Sequence, residues 1–152
     1  MKYIISEYPE RYYIGLIREC NLKHIEDMCI GELWTTFFSK YDSLHHEPGA
    51  LIGLEVYPSD FETTRKFNYY AAAPSKKDFD VEGMEKVTIP KGKYVRVEIT
   101  VQNLFDGVTP KVYEFLATTD LEIDYGFDYE EYPEGIDMSN VDSLMYIVLK
   151  LK

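Results

Sequence analysis

The sharpest pattern along the chain is the alternation of Lys93 to Val101 (KYVRVEITV), which puts Val95, Val97, Ile99 and Val101 on one face and Tyr94, Arg96 and Glu98 on the other. A period of two predicts a strand with one packed face. Arg11 to Arg18 mixes aromatic and branched residues on both sides of a pleat and predicts another strand, running on to Cys20. After the polar run Lys23 to Asp27, apolar residues fall at Ile25, Met28, Cys29, Leu33, Trp34, Phe37, Phe38 and Tyr41, the spacing of an amphipathic helix. That helix stops before His45-His46-Glu47-Pro48-Gly49, where the proline cannot continue it. Ala50 to Tyr57 and Lys66 to Ala73 are predicted strands, closed by Pro58 and Pro74.

Ser75 to Thr88 has no sustained period and is read as a connection. Thr109 as cap and Pro110 in the first turn start a helix whose stripe is Val112, Tyr113, Leu116 and Ala117. Phe127 to Tyr132 and Leu144 to Leu151 complete the strands, separated by a loop from Pro133 to Asp142. The chain thus reads as α+β, two tandem β-α-β-β repeats in one domain spanning 1–152, with repeat one about 1–74, the connection about 75–88 and repeat two about 89–152. One helix per unit covers one face of a merged, curved antiparallel sheet and leaves the opposite face open. A groove where the units meet is the expected ligand cleft, within reach of Trp34, Tyr69 and Glu130.

With 27 acids against 16 Lys and Arg, the net charge is -11. That argues against direct nucleic-acid or anionic-membrane binding and favours neutral or cationic partners. Fourteen tyrosines supply rigid rings with a polar handle. No signal peptide or membrane-length apolar run is present, so a cytoplasmic protein is expected. Cys20 and Cys29 have no CxxC spacing, and His45-His46-Glu47 has no partner spacing for a metal; neither metal nor cofactor is expected. Serine-hydrolase, nucleotide and zinc-protease motifs are absent.

The stretch Tyr125-Gly126-Phe127-Asp128-Tyr129-Glu130-Glu131-Tyr132 embeds carboxylates among rings. As a strand it sorts Asp128, Glu130 and Tyr132 to one side and Phe127, Tyr129 and Glu131 to the other. Glu130 reads either as a pocket anion that meets a cation or moves a proton, or as an acid keeping an edge strand soluble. Trp34 lies on a helix stripe, where a ring packs a core or walls a ligand. Tyr69 and Tyr70 point to opposite faces, so one of them lines the cleft. Tyr94 belongs to a pocket or to a solvated face with a cross-strand ion pair.

The order of elements resembles the gyrase-inhibitor-like (GyrI-like) small-molecule-binding domain, the effector-binding domain of multidrug-sensing bacterial transcription regulators. The pieces that carry the resemblance are Leu33-Trp34, Ile52-Gly53-Leu54, Phe67-Asn68-Tyr69, Gly83-Met84, Ile89-Pro90-Lys91-Gly92-Lys93-Tyr94 and Tyr129-Glu130-Glu131-Tyr132. It implies repeats related by a pseudo-twofold axis, a pocket for flat or cationic molecules between them, and Glu130, Tyr69, Trp34, Tyr94 and Tyr146 as ligand-binding positions. The sequence departs from the fused regulators in having no helix-turn-helix segment, and from the family in lacking a proline in the final strand, where Tyr146-Ile147-Val148-Leu149 runs unbroken. A stand-alone sensor or sequestering protein is the leading reading, with a possible protein partner. The resemblance leaves two others open: a cofactor-free hydrolase with Glu130 as general base, and an acidic inhibitor of gyrase.

Overall fold

The computed structural model describes every residue except Ser43. In chain order the elements are β1 (Tyr3–Tyr8), β2 (Arg11–Asn21), a 3-10 turn (Leu22–Asp27), α1 (Ile30–Tyr41), β3 (Leu51–Val56), α2 (Phe61–Thr64), β4 (Lys66–Pro74), β5 (Glu85–Ile89), β6 (Gly92–Thr100), α3 (Val101–Phe105), α4 (Thr109–Ala117), β7 (Ile123–Tyr132) and β8 (Leu144–Leu151). Among the described residues no helix is long and apolar enough to cross a membrane.

All eight strands form one antiparallel sheet in the order β1-β6-β8-β7-β3-β4-β2-β5. Exchanging β1 with β5, β2 with β6, β3 with β7 and β4 with β8 reverses this order and leaves it otherwise unchanged, so a pseudo-twofold axis passes between β3 and β7. Two strands are absent from the sequence reading. β1 leaves its own half to pair with β6, and β5, inside the stretch read as a connection, leaves the second half to pair with β2. Both are sheet edges, and their exposed, mixed side chains give no clean alternation.

The paired positions assign the faces. Ala71, Gly53, Glu130 and Ile147 stand opposite one another on successive strands, as do Tyr70, Leu54, Tyr129 and Val148. The first row belongs to the helix side. There α1 buries Leu33 and Phe37 against Ile14, Phe67, Tyr69 and Ala71, and α4 buries Val112 and Leu116 against Val95, Val97, Ile99 and Ile147. The second row belongs to the opposite side, which is packed and not open as expected. Tyr13, Ile52, Leu54, Tyr94 and Tyr129 form a core there. Arg11 closes it, with its guanidinium 3.9 Å from the Tyr8 ring centre and donating to the Tyr129 hydroxyl at 3.1 Å.

The long helix expected from Ile25 is divided. Cys29 takes a left-handed φ of 50°, and Arg18 donates to the carbonyls of Met28 and Cys29, which holds the break between the 3-10 turn and α1. In α4 the cap is Val108, with Thr109 already helical.

Removing residues 1–8 strips β6 of its outer neighbour and exposes Val95 and Val97 at a bare strand edge. The expected result is a melting temperature lower by about 5 °C or more and self-association in sedimentation velocity.

Candidate functional site

The groove between α1 and α4 has the β3–β7 pair as its floor. On the helix side Leu51 faces Tyr132, Gly53 faces Glu130 and Glu55 faces Asp128. Two acid–phenol clusters occupy this floor.

The first is built on Glu130. Tyr69, from β4, reaches across β3 to donate to Glu130 Oε1 at 2.6 Å, and Tyr132 donates to the same oxygen at 2.9 Å. Trp34 of α1 donates its indole N–H to the Tyr69 hydroxyl at 2.9 Å, and its ring lies edge-on to Tyr132 at 5.4 Å. The crossing requires Gly53. A Cβ there would lie 2.1 Å from Tyr69 Oη and 2.3 Å from Glu130 Oε1. Burial, helped by the charge of Glu55 and opposed by the two phenols, pushes the Glu130 carboxyl up to about 7. Its partners among the described residues are phenols, with no ammonium or guanidinium. Trp34 and Tyr132 also wall a cavity of about 250 Å³ with Phe38, Tyr41 and Met138.

The second cluster is built on Glu55 and Asp128, which face each other across the β3–β7 pair. Tyr57 Oη lies 2.5 Å from Glu55 Oε2 and 2.8 Å from Asp128 Oδ2, so its single proton serves one of them at a time; Tyr113 of α4 donates to Asp128 Oδ2. Burial raises both carboxyls, and for Asp128 the charge of Glu55 adds to it. Glu55 also borders a cavity of about 990 Å³ between the 3-10 turn, α2 and α4.

The structure therefore brings together Trp34, Tyr69 and Glu130, with Tyr69 and not Tyr70 on the groove side. It does not bring Tyr94 or Tyr146 there. Strand alternation puts both on the opposite face, where Tyr94 is buried with its hydroxyl donated to the Pro90 carbonyl at 2.6 Å. Tyr146 lies under Arg96, which pairs with Glu131 at 2.5 Å, the cross-strand ion pair weighed for the Tyr94 face. The metal-ligand types that come together among the described residues are His24, Glu26 and Asp27, exposed on the 3-10 turn, and not His45-His46-Glu47.

Sequence reasoning missed Glu55, Tyr57 and Tyr113. The signal was a repeat: Glu55-Val56-Tyr57-Pro58 and Glu130-Glu131-Tyr132-Pro133 end the third strand of each half. In both, the phenol two residues on bonds back to the glutamate.

The profile of the Cass2 family, described as integron-associated effector binding protein, matches residues 4–148. Among curated proteins none matches. Solved structures of the same fold include the integron cassette protein VCH_CASS2 from the mobile metagenome of Vibrio cholerae, at 20% identity over 99% of this chain and 95% of that one, TM-score 0.73. SAV2435 bound to tetraphenylphosphonium is 15% identical over 100% of this chain and 94% of that one, TM-score 0.79. The EcmrR C-terminal domain is 10% identical over 99% and 97%, TM-score 0.69.

Two outcomes follow from the Glu130 cluster. Gly53→Ala forces apart two side-chain tips and not backbone, so the fold survives while the Tyr69–Glu130 bond is lost; urea unfolding should show a cost of about 1–3 kcal/mol. A carboxyl that holds its proton more tightly folded than unfolded stabilises the fold below its ordinary value of 4.5 and loses that contribution as pH rises through about 7. Stability should therefore fall between pH 5 and pH 8, and Glu130→Gln should remove about 1–3 kcal/mol of that fall in denaturant titrations at the two pH values.

Proposed function

The chain belongs to the Cass2 family of integron-associated effector binding proteins, and on that premise we propose that it binds aromatic, lipophilic organic cations in the groove over β3 and β7, as a sensor or a sequestering protein. Glu130 supplies the countercharge, and Trp34, Tyr69 and Tyr132 supply the wall. The observation that carries this reading is a carboxylate set among rings whose hydrogen bonds all come from neutral phenols. Such a group is costly to ionise alone, and a desolvated cation restores the missing charge. Both phenols donate to Oε1, so Oε2 receives neither. Surrounding rings each add roughly 0.5–2 kcal/mol toward a cation. The tetraphenylphosphonium held by SAV2435, a protein of the same fold, is a ligand of this class.

Calorimetric titration with tetraphenylphosphonium tests the reading. Glu130→Gln should weaken binding by about tenfold or more without lowering the melting temperature, and binding should quench Trp34, the only tryptophan. Equal affinity in both proteins would remove Glu130 from the site. Turnover of an electrophilic ligand, lost in the same variant, would make Glu130 a general base instead.

A further inference from the structure

A cavity large enough for a drug-sized molecule lies beside the groove without touching Glu130. Its volume of about 990 Å³ is walled by Met28, Phe61, Phe67, Tyr113 and Tyr125, with Glu55 as the acid that reaches it from the sheet. Exchange of the halves superposes the Glu55-x-Tyr57 corner on the Glu130-x-Tyr132 corner, so the second half repeats the glutamate and phenol of the first. Glu55 stands diagonally across the β3–β7 pair from Glu130, which sets their backbone positions about 7–8 Å apart. The groups around Glu55 are Asp128 and Tyr125 from β7, Tyr113 from α4, its own neighbour Tyr57, Glu62 from α2 and Arg65 just after that helix. Arg65 is engaged at the rim, 3.9 Å from Glu62 and 4.6 Å from the Phe61 ring centre. Among the described residues the Glu55–Asp128 pair has no cationic partner.

We propose that this cavity is a second cationic subsite, and that the groove takes organic dications with one charged centre at Glu130 and the other at Glu55. The proposal rests on the reading of Glu130 for the first centre only. Burial raises the Glu55 and Asp128 carboxyls toward the protonated form, with the charge of Glu55 adding to it at Asp128. A second cationic centre favours the ionised pair, and the proton given up passes to solvent.

The test is calorimetric titration of benzyltrimethylammonium and of bis-ammonium ions made by joining two such heads through alkyl spacers of increasing length. One spacer should bind about tenfold or more tighter than the monocation. Glu55→Gln should bring that dication down to the affinity the monocation shows for the same variant. Tyr125→Ala, at an exposed ring stacked on Tyr113, should do the same without endangering the fold. A series in which no spacer outperforms the monocation, or an advantage that survives Glu55→Gln and Tyr125→Ala, overturns the proposal. If the monocation still depends on Glu130 in that case, the reading of Glu130 stands alone. A monocation insensitive to Glu130→Gln but lost in Glu55→Gln would overturn the Glu130 reading and the two-centre arrangement together.

Discussion

A carboxylate at the seam of the sheet needs room and hydrogen-bond donors, and both meet at Gly53. The missing side chain lets the Tyr69 hydroxyl pass over β3 to Glu130, so one bond ties β4, β3 and β7 across the pseudo-twofold axis. On the opposite face Ile52 and Leu54 pack with Tyr94, Tyr129 and Val148 across the seam, while on the helix side the clusters around Leu33 and Phe37 and around Val112 and Leu116 lie to either side of it. There the halves are joined by acid and phenol and by the edge contact of Trp34 with Tyr132. Buried polar networks of this kind are costly when a partner is missing. The groove floor is therefore both a fastening and a place where a ligand can change the balance.

Symmetry repeats the positions but not the chemistry. Tyr69 sits beside Glu55 on β4, and Ile147 sits beside Glu130 on β8. Only the phenol can reach across its neighbouring strand to an acid. In the first half the reach is made, and Trp34 closes over it. In the second, Ile147 makes no such bridge and Asp128 stands where the first half has Gly53, so the facing acids draw on Tyr57 and Tyr113. The open volume lies on that side.

Elements with a strong period were legible in the sequence. β6 and the stripe of α1 follow directly from alternation and from the helical spacing of Leu33 and Phe37. The sorting of Asp128, Glu130 and Tyr132 to one face of β7 follows from the same rule, as does the choice that Tyr69 and Tyr70 cannot share a side. β1 and β5 were not legible, because β1 shows apolar residues on both faces with no alternation, β5 turns only Val87 and Ile89 inward, and the partner of each lies in the other half. The helix-free face reads as an open surface because a single sequence does not show that Tyr13, Tyr94 and Tyr129 from different strands pack on one another, or that Arg11 folds over them. For the same reason it does not separate Tyr94 and Tyr146, on that face, from Glu130 on the other. Glu55 is marked only by the Glu-x-Tyr-Pro ending it shares with Glu130, a signal that needs the two halves to be aligned on their third strands.

The exchange of edge strands has a temporal side. Tyr3 finds its partner at Val97, so β1 has nowhere to settle until some ninety further residues have followed it from the ribosome. At translation rates of about 5–20 residues per second, that interval is on the order of seconds, during which the backbone donors and acceptors of Tyr3 to Tyr8 lack their ladder partners. Neither half can close its own sheet, and the groove exists only once both have been made and each has lent a strand to the other.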